Sequence, residues 1–239
     1  MKRRMMRVTI ICMLIMLVFS TFVPQQSSAE TQPKFNVSLS TMKKDLSKHS
    51  IVVKVKGADQ RFSFKTSEIK RFVVNSKKQT KKVETIKATV YIDRDVAVVK
   101  AKVTMKYKYN GRKWKISSIN YTNTRIQSIK LKGKWTGTYI AQQGKTKVDI
   151  NIKSVTSDGY ITDGLFSFSA VPTNPSVPFG SYTLKGGFDK QTGEITFAGD
   201  EWIEHPNTYY MIEIHAYVNL IRKRITSPSN SYSLDLRRK

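Results

Sequence analysis

From Ala97 to Tyr109 every second residue is apolar or small: Ala97, Val99, Ala101, Val103, Met105, Tyr107 and Tyr109. The intervening positions carry Lys100, Lys102, Thr104, Lys106 and Lys108. A period of two held this long predicts a strand with one buried face and one wet face. Asn110-Gly111 follows, the dipeptide best suited to the left-handed corners of a tight hairpin turn. Lys113-Trp114-Lys115-Ile116 then alternates back. Upstream, Ile86, Ala88, Val90 and Ile92 alternate with Lys87, Thr89 and Tyr91, and Asp93-Arg94-Asp95 supplies the turn. The pattern predicts a three-stranded meander, preceded by shorter strands at Ile51–Val55 and Phe62–Phe64. A helix is expected over Thr41–Lys48, with Met42 and Leu46 on one face and Ser40 or Thr41 as its cap.

From residue 129 onward the pattern is β throughout. Strands are expected at Lys134–Ala141, Lys147–Val155, Tyr160–Ala170, Ser181–Phe188, Glu194–Trp202, Tyr209–Asn219, Arg224–Ser227 and Tyr232–Arg237. Gln143-Gly144, Ser157-Asp158-Gly159 and Asp189–Gly193 mark turns. The three prolines in Val171–Gly180 predict a rigid crossing segment or lid. Seven or eight short antiparallel strands make a barrel or a sandwich.

The first 29 residues read differently. Lys2, Arg3, Arg4 and Arg7 precede a 16-residue apolar run, Val8–Val23, and Ser27-Ser28-Ala29 offers small residues for cleavage. That order is a secretory signal peptide. The alternative is an uncleaved membrane anchor. A helix of this length spans only about 24 Å against a hydrocarbon core of about 30 Å, and Pro24 ends it. The expected location is secreted, extracellular or wall-associated. The single cysteine, Cys12, lies in this segment, so the mature chain has no disulfide framework and no thiol chemistry.

Charge divides what remains. The net charge is +25, and residues 30–130 hold 25 basic and seven acidic residues, whereas 131–239 hold 13 and ten. Six of those 13 sit in two runs, Arg222-Lys223-Arg224 and Arg237-Arg238-Lys239. Such asymmetry predicts two modules, a basic α+β one over 34–121 and an all-β one over 129–239, joined by a polar linker at Thr122–Arg125. Lys100, Lys102, Lys106 and Lys108 share one strand face and span about 26 Å. Lys113 and Lys115 on the return strand, and Lys87 on the other side, are expected beside them. A lysine face has a bland use, blunting an edge against aggregation. It has a sharper one as an anion-binding surface, because like charges on adjacent strands cost stability. For an exported protein the partners are anionic wall polymer or an anionic membrane surface. A nucleic-acid partner is disfavoured: Tyr107, Tyr109 and Trp114 fall on the inward phase, leaving only Tyr91 to stack a base.

Two resemblances follow from these residues. The short helix, lysine-edged meander and closing Trp-x-Ile strand resemble the curved-sheet modules of cystatin-like and nuclear-transport-factor-like proteins. Gly133-Lys134-Trp135 opening the second module, with Arg237 or Arg238 on its last strand, resembles the calycin superfamily of lipocalin-like barrels. The stretch from Asn174 through Gly199-Asp200-Glu201-Trp202-Ile203 also resembles a β domain recurrent in exported Gram-positive proteins. The calycin resemblance implies an arginine packed on Trp135 and a small hydrophobic ligand inside the barrel. Trp135, Phe166, Phe168, Tyr182, Phe188, Phe197, Met211 and Ile214 would then line the cavity. Otherwise they fill the core, as in most small barrels.

Asp200, Glu201, Glu204, His205, Glu213 and His215 are the one acidic and histidine-rich region. With no HExxH, nucleophile elbow or phosphate loop, the sequence assigns no catalytic residue, no metal and no cofactor. Three functions stay open: a non-enzymatic envelope protein held by its basic module, a carrier of a small hydrophobic ligand, and an envelope hydrolase.

Overall fold

Ser38, rather than Ser40 or Thr41, caps the first helix. Its Oγ accepts a hydrogen bond from the Thr41 amide at 3.2 Å, so α1 runs Leu39–Leu46 and starts ahead of the expected position. The computed structural model describes residues 35–227 and 232–239; the expected signal peptide and Cys12 lie outside the described residues. A two-stranded hairpin follows, β1 (Ile51–Val55) and β2 (Ala58–Phe62).

The expected meander is a four-stranded antiparallel sheet of β3 (Ile69–Gln79), β4 (Val83–Asp93), β5 (Ala97–Tyr109) and β6 (Trp114–Ile129). Strand β5 has the predicted ends. Strand β3 escaped the pattern because register shifts at Ile69/Arg71 and Val74/Ser76 break its alternation. Strand β6 runs straight through Thr122–Arg125, so that segment is not a linker. A shift between Lys100 and Lys102 marks one extra residue in β6, and Asn123 sits at φ 49°. Asparagine tolerates that left-handed geometry. Tyr109 keeps its expected phase but not the expected burial: it lies at the hairpin tip, 39% exposed, packed against half-buried Trp114 at 5.5 Å.

The remaining chain closes into an eight-stranded barrel, not a sandwich. Its strands are β7 (Gly133–Ala141), β8 (Gly144–Val155), β9 (Tyr160–Ser169), β10 (Gly180–Asp189), β11 (Glu194–Glu204), β12 (Ile214–Asn219), β13 (Arg224–Thr226) and β14 (Ser233–Arg238). Each pairs antiparallel with its sequence neighbours, and β14 pairs with β7 to close the ring. Gly137 makes that seam possible: a Cβ there would lie 1.8 Å from the Asp235 carbonyl oxygen. The Val171–Gly180 segment is neither a crossing nor a free lid. It joins adjacent strands, and the Asn174 amide pins it to the β7–β8 hairpin through the Gln143 and Lys145 carbonyls. Among the described residues no helix is long and apolar enough to cross a membrane.

Trp135 sits at the barrel floor, 1% exposed, donating its indole N–H to the Leu131 carbonyl at 2.6 Å. The Arg238 guanidinium lies 5.7 Å from its ring. The sheet and the barrel share one apolar core. Lys56 N–H donates to the Thr192 carbonyl, and the Gln60 amide bonds Val218 and Leu220 backbone groups. Arg94, which reads as an exposed turn residue, is buried: it donates to the Leu220 and Ser63 carbonyls and pairs with Glu68.

Candidate anion-binding face and barrel cavity

The sheet register decides which cations share a face. Cross-strand partners point to the same side, so Tyr91↔Lys100↔Arg125 forms one outward row, with Arg71 opposite Tyr91. Successive rows bring Lys102 between Thr89 and Thr122, Lys87 opposite Thr104, Lys106 opposite Thr85, and Lys108 opposite Lys115. Lys78, opposite Thr85, completes the set. Six of the seven lysines expected here are thus brought together; Lys113 lies beyond, exposed in the hairpin turn. Arg71, Lys78 and Arg125 were missed because their strands were not foreseen at full length.

Nine cations therefore stand on one face. Of the two carboxylates in these strands, Glu84 points the other way, is fully buried and lies 3.2 Å from Lys77, and Asp93, on the same phase as Tyr91, stands at the end of the face, bonded to Lys130 at 2.7 Å. No described carboxylate forms an ion pair with any of the nine. Arg71 and Lys100 flank the Tyr91 ring, each 5.6 Å from its centroid. Neighbouring rows are about 7 Å apart, within the Debye length of about 8 Å at physiological salt. The potentials of these charges therefore add over the face.

Inward, the same sheet is closed off. Tyr107 is buried under α1, and its hydroxyl donates to Asp45 at 3.2 Å. Burial first, and the Asp45 charge second, push that phenol far above its ordinary range.

The barrel holds a cavity of about 630 Å³ at the end opposite Trp135, lined among others by Tyr139, Thr146, Phe166, Phe168, Tyr182 and Tyr209. Of the expected cavity residues, Phe166, Phe168 and Tyr182 line it. Trp135, Phe197 and Ile214 are packed in the core, Met211 packs against Gly199, and Phe188 faces the other end. Phe166 stacks on Tyr182 at 4.7 Å and Phe168 on Tyr209 at 5.4 Å. The Thr146 hydroxyl is buried in this wall with no hydrogen-bond partner. Thr208, on the loop over the mouth, holds φ 69°, a left-handed conformation that is costly for a β-branched residue. The strand expected over Tyr209–Asn219 begins only at Ile214, and its first residues, Tyr209–Ile212, are instead the rim.

The acidic and histidine residues do not gather. His215 lies near Glu213 and Glu194, at 3.3 and 3.7 Å. His205 instead stacks on Trp202 at 4.5 Å and bonds the Tyr209 carbonyl. Among the described residues no group of three His, Cys, Asp or Glu side chains is placed to hold a metal ion.

These features define an up-and-down, eight-stranded antiparallel barrel packed against a helix-and-sheet unit with a cationic outer face. Set against protein-family models, curated proteins and solved structures, the chain matches none.

Proposed function

We propose that this is an exported, non-enzymatic, envelope-associated protein whose β3–β6 face binds anionic wall polymer or anionic lipid. One observation carries the reading: nine cations on one sheet face, none of them paired with a described carboxylate, and the one acid on that phase, Asp93 at its end, already bonded to Lys130. A solubilising surface mixes both signs, whereas here a single acid at one end faces nine cations. The Lys108↔Lys115 and Lys100↔Arg125 pairs repel directly across strands, a cost that polyanion binding offsets. The signal-peptide pattern places that polyanion outside the cytoplasm. Replacing Lys100, Lys102, Lys106 and Lys108 by Glu tests the reading in the intact chain. Retention on washed cells is expected to be lost while the circular-dichroism spectrum is kept. Undiminished retention of the folded variant would overturn it.

A second reading rests on the cavity. The closed barrel with Arg238 over Trp135 is compatible with a lipocalin-like carrier. An aromatic-walled space of about 630 Å³ with one unpartnered hydroxyl suits an apolar ligand bearing a single polar group. Mass spectrometry of protein purified from its native cell is expected to show a co-purifying small molecule. Protein that carries none and leaves a fluorescent fatty acid unbound would remove this reading.

A further inference from the structure

The two basic runs near the chain end are not part of the sheet face, and the fold gives them a place of their own. Arg222-Lys223-Arg224 begins at the turn into β13, and Arg237-Arg238-Lys239 ends β14. Antiparallel pairing of β13 with β14 brings both runs to one end of the barrel. There they meet Lys130, just past the end of β6, around a cleft of about 520 Å³. Seven cations line this cleft, and Asp95 is the one acid in its wall.

The ion pairs show which of these charges are already answered. Lys130 is bonded to Asp93 at 2.7 Å, Arg224 to Asp235 at 2.8 Å, and Lys239 to Asp149 at 2.7 Å. Lys223 pairs with both Glu68 and Asp95. These four are held in place as walls. Arg222 only shares Asp235, at 4.0 Å. Arg238 directs its guanidinium at the Lys132 carbonyl, a neutral acceptor, at 2.6 Å. Arg237 pairs with no described carboxylate. Two guanidinium charges, Arg237 and Arg238, therefore have no described carboxylate partner around this concavity, and Arg222 has only a long, shared one.

From this we infer that the cleft is a binding site for a compact polyphosphorylated ligand, distinct from the sheet face and independent of it. Guanidinium groups bind phosphate oxygens through paired, charge-assisted hydrogen bonds. A single phosphate ester carries only about 1.5–2 negative charges at neutral pH, which leaves part of the cationic surplus unmatched. Two linked phosphates match it. A long polymer is suited to the extended face, where charges are strung over about 26 Å; a concave cleft with its charges gathered around it suits a short, dense anion.

The test uses inorganic pyrophosphate and orthophosphate as probes, titrated calorimetrically into the full chain at about 0.15 M salt. Pyrophosphate is expected to bind at least about tenfold more tightly than orthophosphate. Arg222→Gln with Arg237→Gln should weaken it by about tenfold or more, because these two exposed arginines answer no carboxylate closely. Their thermal midpoint should stay near that of the parent. Lys100→Gln, Lys102→Gln, Lys106→Gln and Lys108→Gln together should leave pyrophosphate binding unchanged while weakening polymer binding. Three results would each overturn the inference: no pyrophosphate binding at millimolar concentration, equal affinity for the two probes, or binding that survives the double arginine change. Failure of polymer binding in the parent protein would count against the sheet face alone.

Discussion

Arg94→Ala probes how the sheet unit and the barrel are joined. The side chain is 4% exposed and crosses from the β4–β5 turn to the barrel. Its Nε and Nη2 donate to the Leu220 carbonyl at 3.0 and 2.8 Å, and Nη1 to Ser63 at 3.2 Å. It also pairs with Glu68 at 3.1 Å and lies over the Phe62 ring at 4.6 Å. Truncation strands the Leu220 carbonyl in a buried site and removes one partner of a buried ion pair. Breaking such a pair typically costs about 3–5 kcal/mol. Lys223 still answers Glu68, so the lower part of that range, about 3–4 kcal/mol, is expected. With a guanidinium slope of about 5 kcal/mol/M, the unfolding midpoint should fall by roughly 0.6–0.8 M. Arg94→Lys keeps the charge but loses the fork and should recover only part of the loss. A shift below about 0.2 M for Arg94→Ala would refute the claim that this residue ties the two units.

Trp135→Ala should destabilise by about 3–5 kcal/mol, as for other large-to-small core changes, read from the same denaturant titration. Gly193 sits at φ 74°, and an added Cβ would meet Val55, Val218 and Ile126 within 3.0 Å. Gly193→Ala should therefore cost about 2–4 kcal/mol, from left-handed strain and overpacking together. Burial opposes ionisation of Asp149, but hydrogen bonds from Lys239, Thr136 and Lys147 outweigh it and hold the carboxyl at about 2. A folded-state value below the unfolded one stabilises the fold above the unfolded value and ceases to do so as pH falls through the folded one. Thermal midpoints of Asp149→Asn should thus lie below the parent's at neutral pH and converge with it between about pH 4 and pH 2.

Much of the architecture was legible because the barrel strands are regular. Seven of the eight have ends close to those the alternation predicts, and Trp135 with Arg238 lies where the Gly-x-Trp resemblance put them. What escaped notice did so for physical reasons. Bulges reverse the phase of β3 and β6, so a period-two reading loses each strand at its irregularity. That cost the face Arg71, Lys78 and Arg125, and it turned a stretch of β6 into an apparent linker. Arg94, flanked by two aspartates, has the composition of a solvent turn; only the tertiary packing of the barrel against it makes it a buried latch. The cationic cleft needed the barrel closure to bring residues 130, 222–224 and 237–239 together. In sequence they are merely three basic spots. The cavity was half visible: three of the aromatic strand residues expected to line it do so, but the rim over Tyr209–Ile212 reads as strand and is loop.

The most direct test of the central claim is the salt dependence of binding to a purified anionic wall polymer, measured for the parent and for Lys100→Glu, Lys102→Glu, Lys106→Glu, Lys108→Glu. Binding that releases counterions falls linearly on log–log axes, by about 0.7–0.9 per phosphate neutralised for nucleic acids. If the face engages four to six phosphates, the parent should show a slope of roughly −3 to −5, and the variant a slope near zero with little residual affinity. A parent whose binding is indifferent to salt, or a folded variant that binds as the parent does, would contradict the account and leave the lysine face as a guard against edge aggregation.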